Sequence, residues 1–153
     1  MGPVMQAFET IGTALVAKSA EQARSLGFLG PKDRITMNRD RLLSDAKARV
    51  LELSQDYTPP EPYSYHLPGP SGRAALQLAV NALARSGRAT PHDVVVASEL
   101  AVILSGGDTD VTELLGEDEI LALEREAISR LGRDTATLDR MQHMLETGKP
   151  LRN

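Results

Sequence analysis

Five prolines fall within the thirteen residues 58–70, as Thr58-Pro-Pro-Glu-Pro62 and His66-Leu-Pro-Gly-Pro70. A proline lacks the backbone donor, and its ring collides with the carbonyl four residues back, so neither a helix nor a central strand runs through such a density. The stretch predicts an ordered, partly polyproline connector over 57–70. It divides a chain of 153 residues, the length of one ordinary domain, into a first helical part at 1–56 and a second at 71–153. Tyr63 and Tyr65 are expected to lie on a groove between helices.

On both sides of the connector the apolar residues recur at helical spacing. Aromatics make up only 3% of the chain, so the core is built from Leu, Ala, Val, Ile and Met, a composition that leans to helix rather than strand. Val4, Phe8, Ile11 and Leu15 mark a first helix behind Pro3. Ser19-Ala-Glu-Gln22 has capping-box form and opens a second, with Gly27 placed for a left-handed cap. Asp33–Met37 reads as extended, and Asn38 as the N-cap of a third helix whose Leu42, Leu43, Ala46, Val50 and Leu53 share one face. A fourth helix over Ser71–Arg85 is apolar around most of its circumference, which predicts heavy burial. Thr90-Pro-His-Asp93 begins a fifth, which Gly106-Gly107 ends. Glu117–Leu131 is a sixth, with Ile120, Leu123, Ala127, Ile128 and Leu131 inward. Asp134–Thr147 is a seventh, with Leu138, Met141 and Leu145 inward. The expected fold is therefore all-α, a bundle of about six to seven helices in one domain over 1–153.

Several classes of function find no support. Seventeen basic residues against twenty-one acidic ones give a net charge of −4, and no basic stripe marks a nucleic-acid surface. No apolar run approaches the ~20 residues of a membrane span, and the N-terminus has no secretory signal. Cysteine is absent, so there is neither disulfide nor thiolate metal site; a reducing, cytoplasmic location is expected. No Gly-x-Gly-x-x-Gly follows a strand, and no phosphate loop is present. His66, His92 and His143 do not pair at metal-ligand spacing, so no metal site is expected and each is read as a surface or capping residue. Glu126 and Arg130 form an i, i+4 pair on a solvated face. No catalytic residue emerges, and from the residues alone the chain reads as an interaction or oligomerisation module.

Longer stretches add a resemblance. Ser19-Ala-Glu-Gln-Ala-Arg-Ser-Leu-Gly-Phe-Leu29 resembles the A-x-E-A-x-x-L-G-L-V stretch behind the active-site region of enoyl-CoA hydratases, the crotonase family. Leu42-Leu-Ser-Asp-Ala-Lys47, Leu121-Ala-Leu-Glu-Arg-Glu126 and Met144-Leu-Glu-Thr-Gly-Lys-Pro150 are similar to that family's later helices. Asp33-Arg-Ile-Thr-Met-Asn-Arg-Asp-Arg-Leu-Leu43 and Gln142-His-Met-Leu-Glu-Thr-Gly-Lys-Pro-Leu-Arg-Asn153 resemble one subfamily. These are the long bacterial 3-hydroxyacyl-CoA dehydrogenases of fatty-acid β-oxidation that carry a C-terminal hydratase/isomerase region.

The resemblance implies the C-terminal helical part of such an enzyme, closing the acyl-CoA site and serving subunit assembly. The family's dinucleotide-binding domain, His/Glu pair, oxyanion-hole amides and catalytic carboxylates have no counterpart here, so the chain is expected to be inert alone. NAD and CoA thioesters are implied for the whole enzyme and no cofactor for this chain. The implied partners are a second copy and the remainder of the enzyme. Lys149 matches the family's C-terminal lysine, which implies a contact with CoA phosphate. A free-standing helical oligomerisation module is the alternative.

Overall fold

A computed structural model describes residues Met1–Asn153 and contains seven α-helices, one turn of 3-10 helix and one minimal strand pair. The helices are α1 (Gly2–Gly12), α2 (Ala20–Ser25), α3 (Leu42–Leu53), α4 (Gly69–Arg85), α5 (Pro91–Ser105), α6 (Glu117–Leu131) and α7 (Thr135–Thr147), and the 3-10 turn at Arg39–Arg41 leads into α3. The strands are β1 (Ser64–Tyr65) and β2 (Leu115–Gly116), paired antiparallel with Ser64 opposite Gly116 and Tyr65 opposite Leu115. The fold is all-α, as the periodicity requires. No helix is long and apolar enough to cross a membrane.

Contacts gather the chain into two units, Met1–Ala14 with Pro62–Asn153, and Leu15–Glu61. One boundary lies inside the proline-rich connector. The other, at Ala14, has no proline to announce it, and α1 groups with the helices beyond the connector rather than with the rest of 1–56. Phe8 is the only buried residue of the first 61, and with Val4 and Met5 it belongs to the core of the larger unit.

That core is small. Phe8, Leu76, Val80 and Ala101 are its buried members, and Val4, Met5, Val94, Ala97, Leu100 and Leu104 pack against them. They come from α1, α4 and α5, with α5 touching α4, α6 and α1. From Val94 to Leu104, α5 carries apolar residues on almost every side, and a helix of that kind belongs at the centre of a bundle. In α4, Gly69, Gly72, Leu76 and Val80 are buried, a stripe at successive turns, whereas Leu78 is 67% exposed. The burial is one-sided rather than circumferential, along the side that meets α5 and Phe8. Close approach explains two glycines. Gly69 (φ +59°) has no room for a Cβ against the Thr109 carbonyl. Gly106 (φ +81°) caps α5, and a Cβ there would sit 2.7 Å from Leu115 and 2.8 Å from Thr109.

The outer helices form as the sequence predicts but bury less. In α6, Ala127 is buried while Ile128, expected inside, is exposed. In α7, Leu138, Met141 and Leu145 are all exposed, Leu145 to 86%. Tyr63 and Tyr65 are exposed too, and the connector holds a strand residue pair the prolines did not forbid, because Ser64 and Tyr65 lie between them.

The smaller unit, Leu15–Glu61, buries no residue at all. Its local signals are nonetheless satisfied. Ser19 caps α2 by accepting from the Gln22 amide, while the Gln22 carboxamide oxygen accepts from the Lys18 amide at 2.7 Å. Asn38 caps the 3-10 turn through the Asp40 amide. Asp33–Met37 forms no strand ladder in this chain. The predicted apolar face of α3 exists but is bare: Leu42, Leu43, Val50 and Leu53 are each more than half exposed.

The core makes a direct test. Leu76→Ala is expected to cost about 2–5 kcal/mol of stability, and Leu145→Ala less than about 0.5 kcal/mol, by urea denaturation followed at 222 nm (the helix band in circular dichroism).

Candidate functional site

A polar network forms where the start of α5, α7 and the last residues converge. Thr90 and Asp93 cap α5 in a full capping box: the Thr90 hydroxyl accepts from the Asp93 amide at 3.1 Å, and the Asp93 carboxylate accepts from the Thr90 amide at 2.8 Å. The Arg140 guanidinium of α7 reaches the same cap, pairing with Asp93 at 2.8 Å and donating to the Thr90 hydroxyl at 3.1 Å. Its Nε donates to the Asn153 side-chain oxygen at 2.6 Å, and Asn153 donates in turn to the Ala136 carbonyl at 3.0 Å. Arg152 donates to the Arg88 carbonyl at 3.2 Å. The result is a clamp that ties the tail across α7 onto the cap of α5.

Electrostatics follow the geometry. Partial burial opposes the charge on Asp93, but hydrogen bonds from the Thr90 backbone, the Thr90 side chain and Arg140, together with the charge of Arg140, outweigh it and hold the carboxyl below its ordinary range.

His92 sits beside this clamp and is 5% exposed, against the expectation of a surface residue. It lies between a hydroxyl and a carboxylate: Nε2 is 2.8 Å from the Thr137 hydroxyl and Nδ1 is 3.8 Å from Asp134. That order evokes a nucleophilic triad, but the chemistry is missing. A contact of 3.8 Å is not a hydrogen bond, and Asp134 already accepts from the Ala136 amide as the cap of α7. His92 therefore serves as a polar tie between α5 and α7. His66 is exposed and lies in the connector, and His143 lies on α7, so the three histidines do not meet. No group of His, Asp and Glu gathers as a metal site.

A second tie was half visible in the sequence. Arg130 pairs with Glu126 at 3.6 Å as the spacing predicts, but its main partner is Glu99 of α5, which accepts three bonds at 2.7–3.2 Å. No one-dimensional spacing links residues 31 apart, so that pairing was illegible.

Lys149 is exposed and follows the left-handed cap Gly148 at the end of α7. Its amide donates to the Thr147 hydroxyl at 3.1 Å. A cation is favoured there by the carbonyl end of the helix. In the smaller unit a cleft of about 680 Å³ is lined by Arg34, Arg41 and Arg49 with Ile35, Leu42 and Leu53, and the three arginines are all taken up by Glu52 or Asp45. Neither place assembles a nucleophile, a base and a stabilising donor.

Comparison with known proteins adds what the geometry leaves out. No protein-family model and no solved structure matches the chain. Over 154 residues it is 39% identical to a probable 3-hydroxyacyl-CoA dehydrogenase of Bacillus subtilis (strain 168), a match that takes in 100% of this chain and 20% of that protein. The chain is similar to one segment of a bacterial dehydrogenase. It spans about a fifth of the length of that curated relative, and the aligned segment includes the tail with Lys149, the clamp residues Arg140 and Asn153, and the bare helix α3.

The clamp predicts a pH signature. A carboxyl with a lowered folded pKa contributes stability that is fully present above the unfolded value of about 3.9 and is lost as pH falls through the folded value. Arg140→Leu is expected to cost about 1–2 kcal/mol at neutral pH. The gap between the variant and the wild type should narrow below about pH 4, as measured by thermal unfolding across pH.

Proposed function

We propose that this chain is the C-terminal helical part of a 3-hydroxyacyl-CoA dehydrogenase/enoyl-CoA hydratase of fatty-acid β-oxidation, where it closes the acyl-CoA site and supports subunit assembly. The observation that carries the proposal is the end-to-end identity of 39% to a fifth of a probable 3-hydroxyacyl-CoA dehydrogenase. Two features of the chain support it. Its polar groups are spent on caps and interhelix ties, which fits a part that does no chemistry alone. Its apolar residues outnumber the places the chain offers to bury them, which fits a part that completes itself against other protein. Exposed apolar faces of this kind are ordinarily covered by partners.

In this role NAD and CoA thioesters are ligands of the whole enzyme, the reaction steps belong to groups outside this chain, and a second copy and the remainder of the enzyme are its partners. Lys149 is the one candidate contact to an anionic ligand: an exposed ammonium suits the phosphates of CoA as a point charge.

Calorimetric titration of the purified chain with acetyl-CoA and crotonyl-CoA, beside hydratase and NAD-linked dehydrogenase assays on the same sample, tests the proposal. The expected outcome is no turnover, with any CoA binding weakened about tenfold in Lys149→Ala, the effect of removing one partly solvated charge contact. Turnover by the isolated chain would overturn it.

A further inference from the structure

Two helices carry an apolar stripe on the side turned away from the rest of their own unit. In α7 the least exposed residues are Ala136, Thr137, Arg140 and His143. Arg140 and Thr137 face α5, through Asp93, Thr90 and His92. Residues three, four and seven positions apart share a helix face, so Leu138, Met141 and Leu145 form a stripe on the opposite side, and all three are exposed. α3 repeats the pattern. Only Asp45 and Arg49 of that helix are partly covered; Asp45 accepts from Thr36 and Arg41, and Arg49 donates to Glu52. Leu43 and Val50 lie on the far side, exposed, with exposed Lys47 between them. None of these three lines the cleft of that unit.

The two stripes match each other. Along α3 the spacing is Leu43, then four residues to Lys47, then three to Val50. Read backwards along α7 it is Leu145, then four residues to Met141, then three to Leu138. Laid antiparallel, the helices therefore oppose Leu43 to Leu145, Lys47 to Met141 and Val50 to Leu138, over about two turns. A parallel arrangement would leave the middle pair one residue out of step. Charge agrees with the spacing. Asp139, Gln142 and Glu146 each follow a stripe residue of α7 by one position and form the adjoining row. Lys47 sits within the stripe of α3 without an ion pair, the pairs of its unit going to Arg24, Arg34, Arg41 and Arg49. A lysine there covers Met141 with its stem and carries its ammonium to the acidic row. Pairing either helix with its own copy would set that row, or Lys47, against its like, which is unfavourable.

We propose that α7 of one copy of this chain docks antiparallel on α3 of a second copy, in the register that opposes Met141 to Lys47. The proposal rests on the assembly role given above and names its surface. It gives a partner to two stripes that are bare within the chain. It also accounts for the polar inner side of α7: ties such as Arg140 to Asp93 hold the helix, and its apolar stripe stays free for another chain. Because the two surfaces differ, the contact runs head to tail, and each copy offers one of each.

Sedimentation velocity of the full chain at micromolar concentration is the test, with helix content checked by circular dichroism. The wild type should associate. Leu43 and Leu145 are 83% and 86% exposed, so Leu43→Glu and Leu145→Glu should leave helicity unchanged. Each should raise the dissociation constant about tenfold or more by placing a charge in the apolar contact. Lys47→Glu should weaken association too, by facing the acidic row. The decisive arm mixes Leu43→Glu with Leu145→Glu in equal amounts. One copy keeps its α7 and the other its α3, so the mixture should associate where neither variant alone does. A mixture as dissociated as its components overturns the pairing of α3 with α7. Association that survives both variants overturns this surface while leaving assembly through another. A monomeric wild type overturns the contact and self-assembly together, whereas the acyl-CoA role answers to the separate titration.

Discussion

The larger unit depends on a helix that has no polar face to spare. α5 is apolar on nearly every side, so it must be surrounded, and α4, α6 and α1 surround it. The rest of that unit follows from the need to do so with short helices. Leu76 and Val80 enter from α4 and Phe8 from α1; Ala127 closes the α6 side. Small residues at Ala101 and Ser105, both fully buried, let neighbouring backbones come near, and the glycines at Gly69 and Gly106 take up the tight turns that this approach creates.

Around that centre the molecule uses directional polar contacts where it lacks apolar depth. Glu99–Arg130 joins α5 to α6, His92–Thr137 joins α5 to α7, and Arg140 gathers Thr90, Asp93 and Asn153. Such bonds contribute little each in net stability, about 1 kcal/mol, but they fix geometry. α7 shows this most clearly. It buries no residue, so its place in the larger unit is set by hydrogen bonds rather than by a packed face.

Much of this was legible in the sequence because helix signals are local. Proline at N1, the Thr90–Asp93 box, Gly27 and Gly148 in left-handed caps, and the limits of α6 each depend on residues within a few positions of one another. What was not legible is which face meets what. Periodicity marks Leu138, Met141 and Leu145 as a face, and it marks Leu42, Leu43 and Val50 as another, but a face is inward only when a second surface arrives. The same limit hid His92, whose burial comes from α7, and Glu99, whose partner is on another helix. Lys149 was placed by resemblance alone, and the structure shows it exposed just beyond the end of α7.

The grouping of Met1–Ala14 with Pro62–Asn153 has a consequence for how the chain folds. α1 reaches its core only after a detour of 47 residues, from Leu15 to Glu61. α4 and α5, by contrast, are neighbours joined by five residues, Ser86–Thr90. Loop-closure entropy grows with the logarithm of loop length, so bringing Phe8 home costs about 2 kcal/mol more than closing that short turn. The α4–α5 hairpin is therefore the natural nucleus, and α1 the late arrival and the first element to leave. A chain built in this way has a hierarchy of opening: Val4, Met5 and Phe8 can detach as one group while α4, α5 and α6 remain together, and amide exchange along α1 reports that smaller event rather than global unfolding.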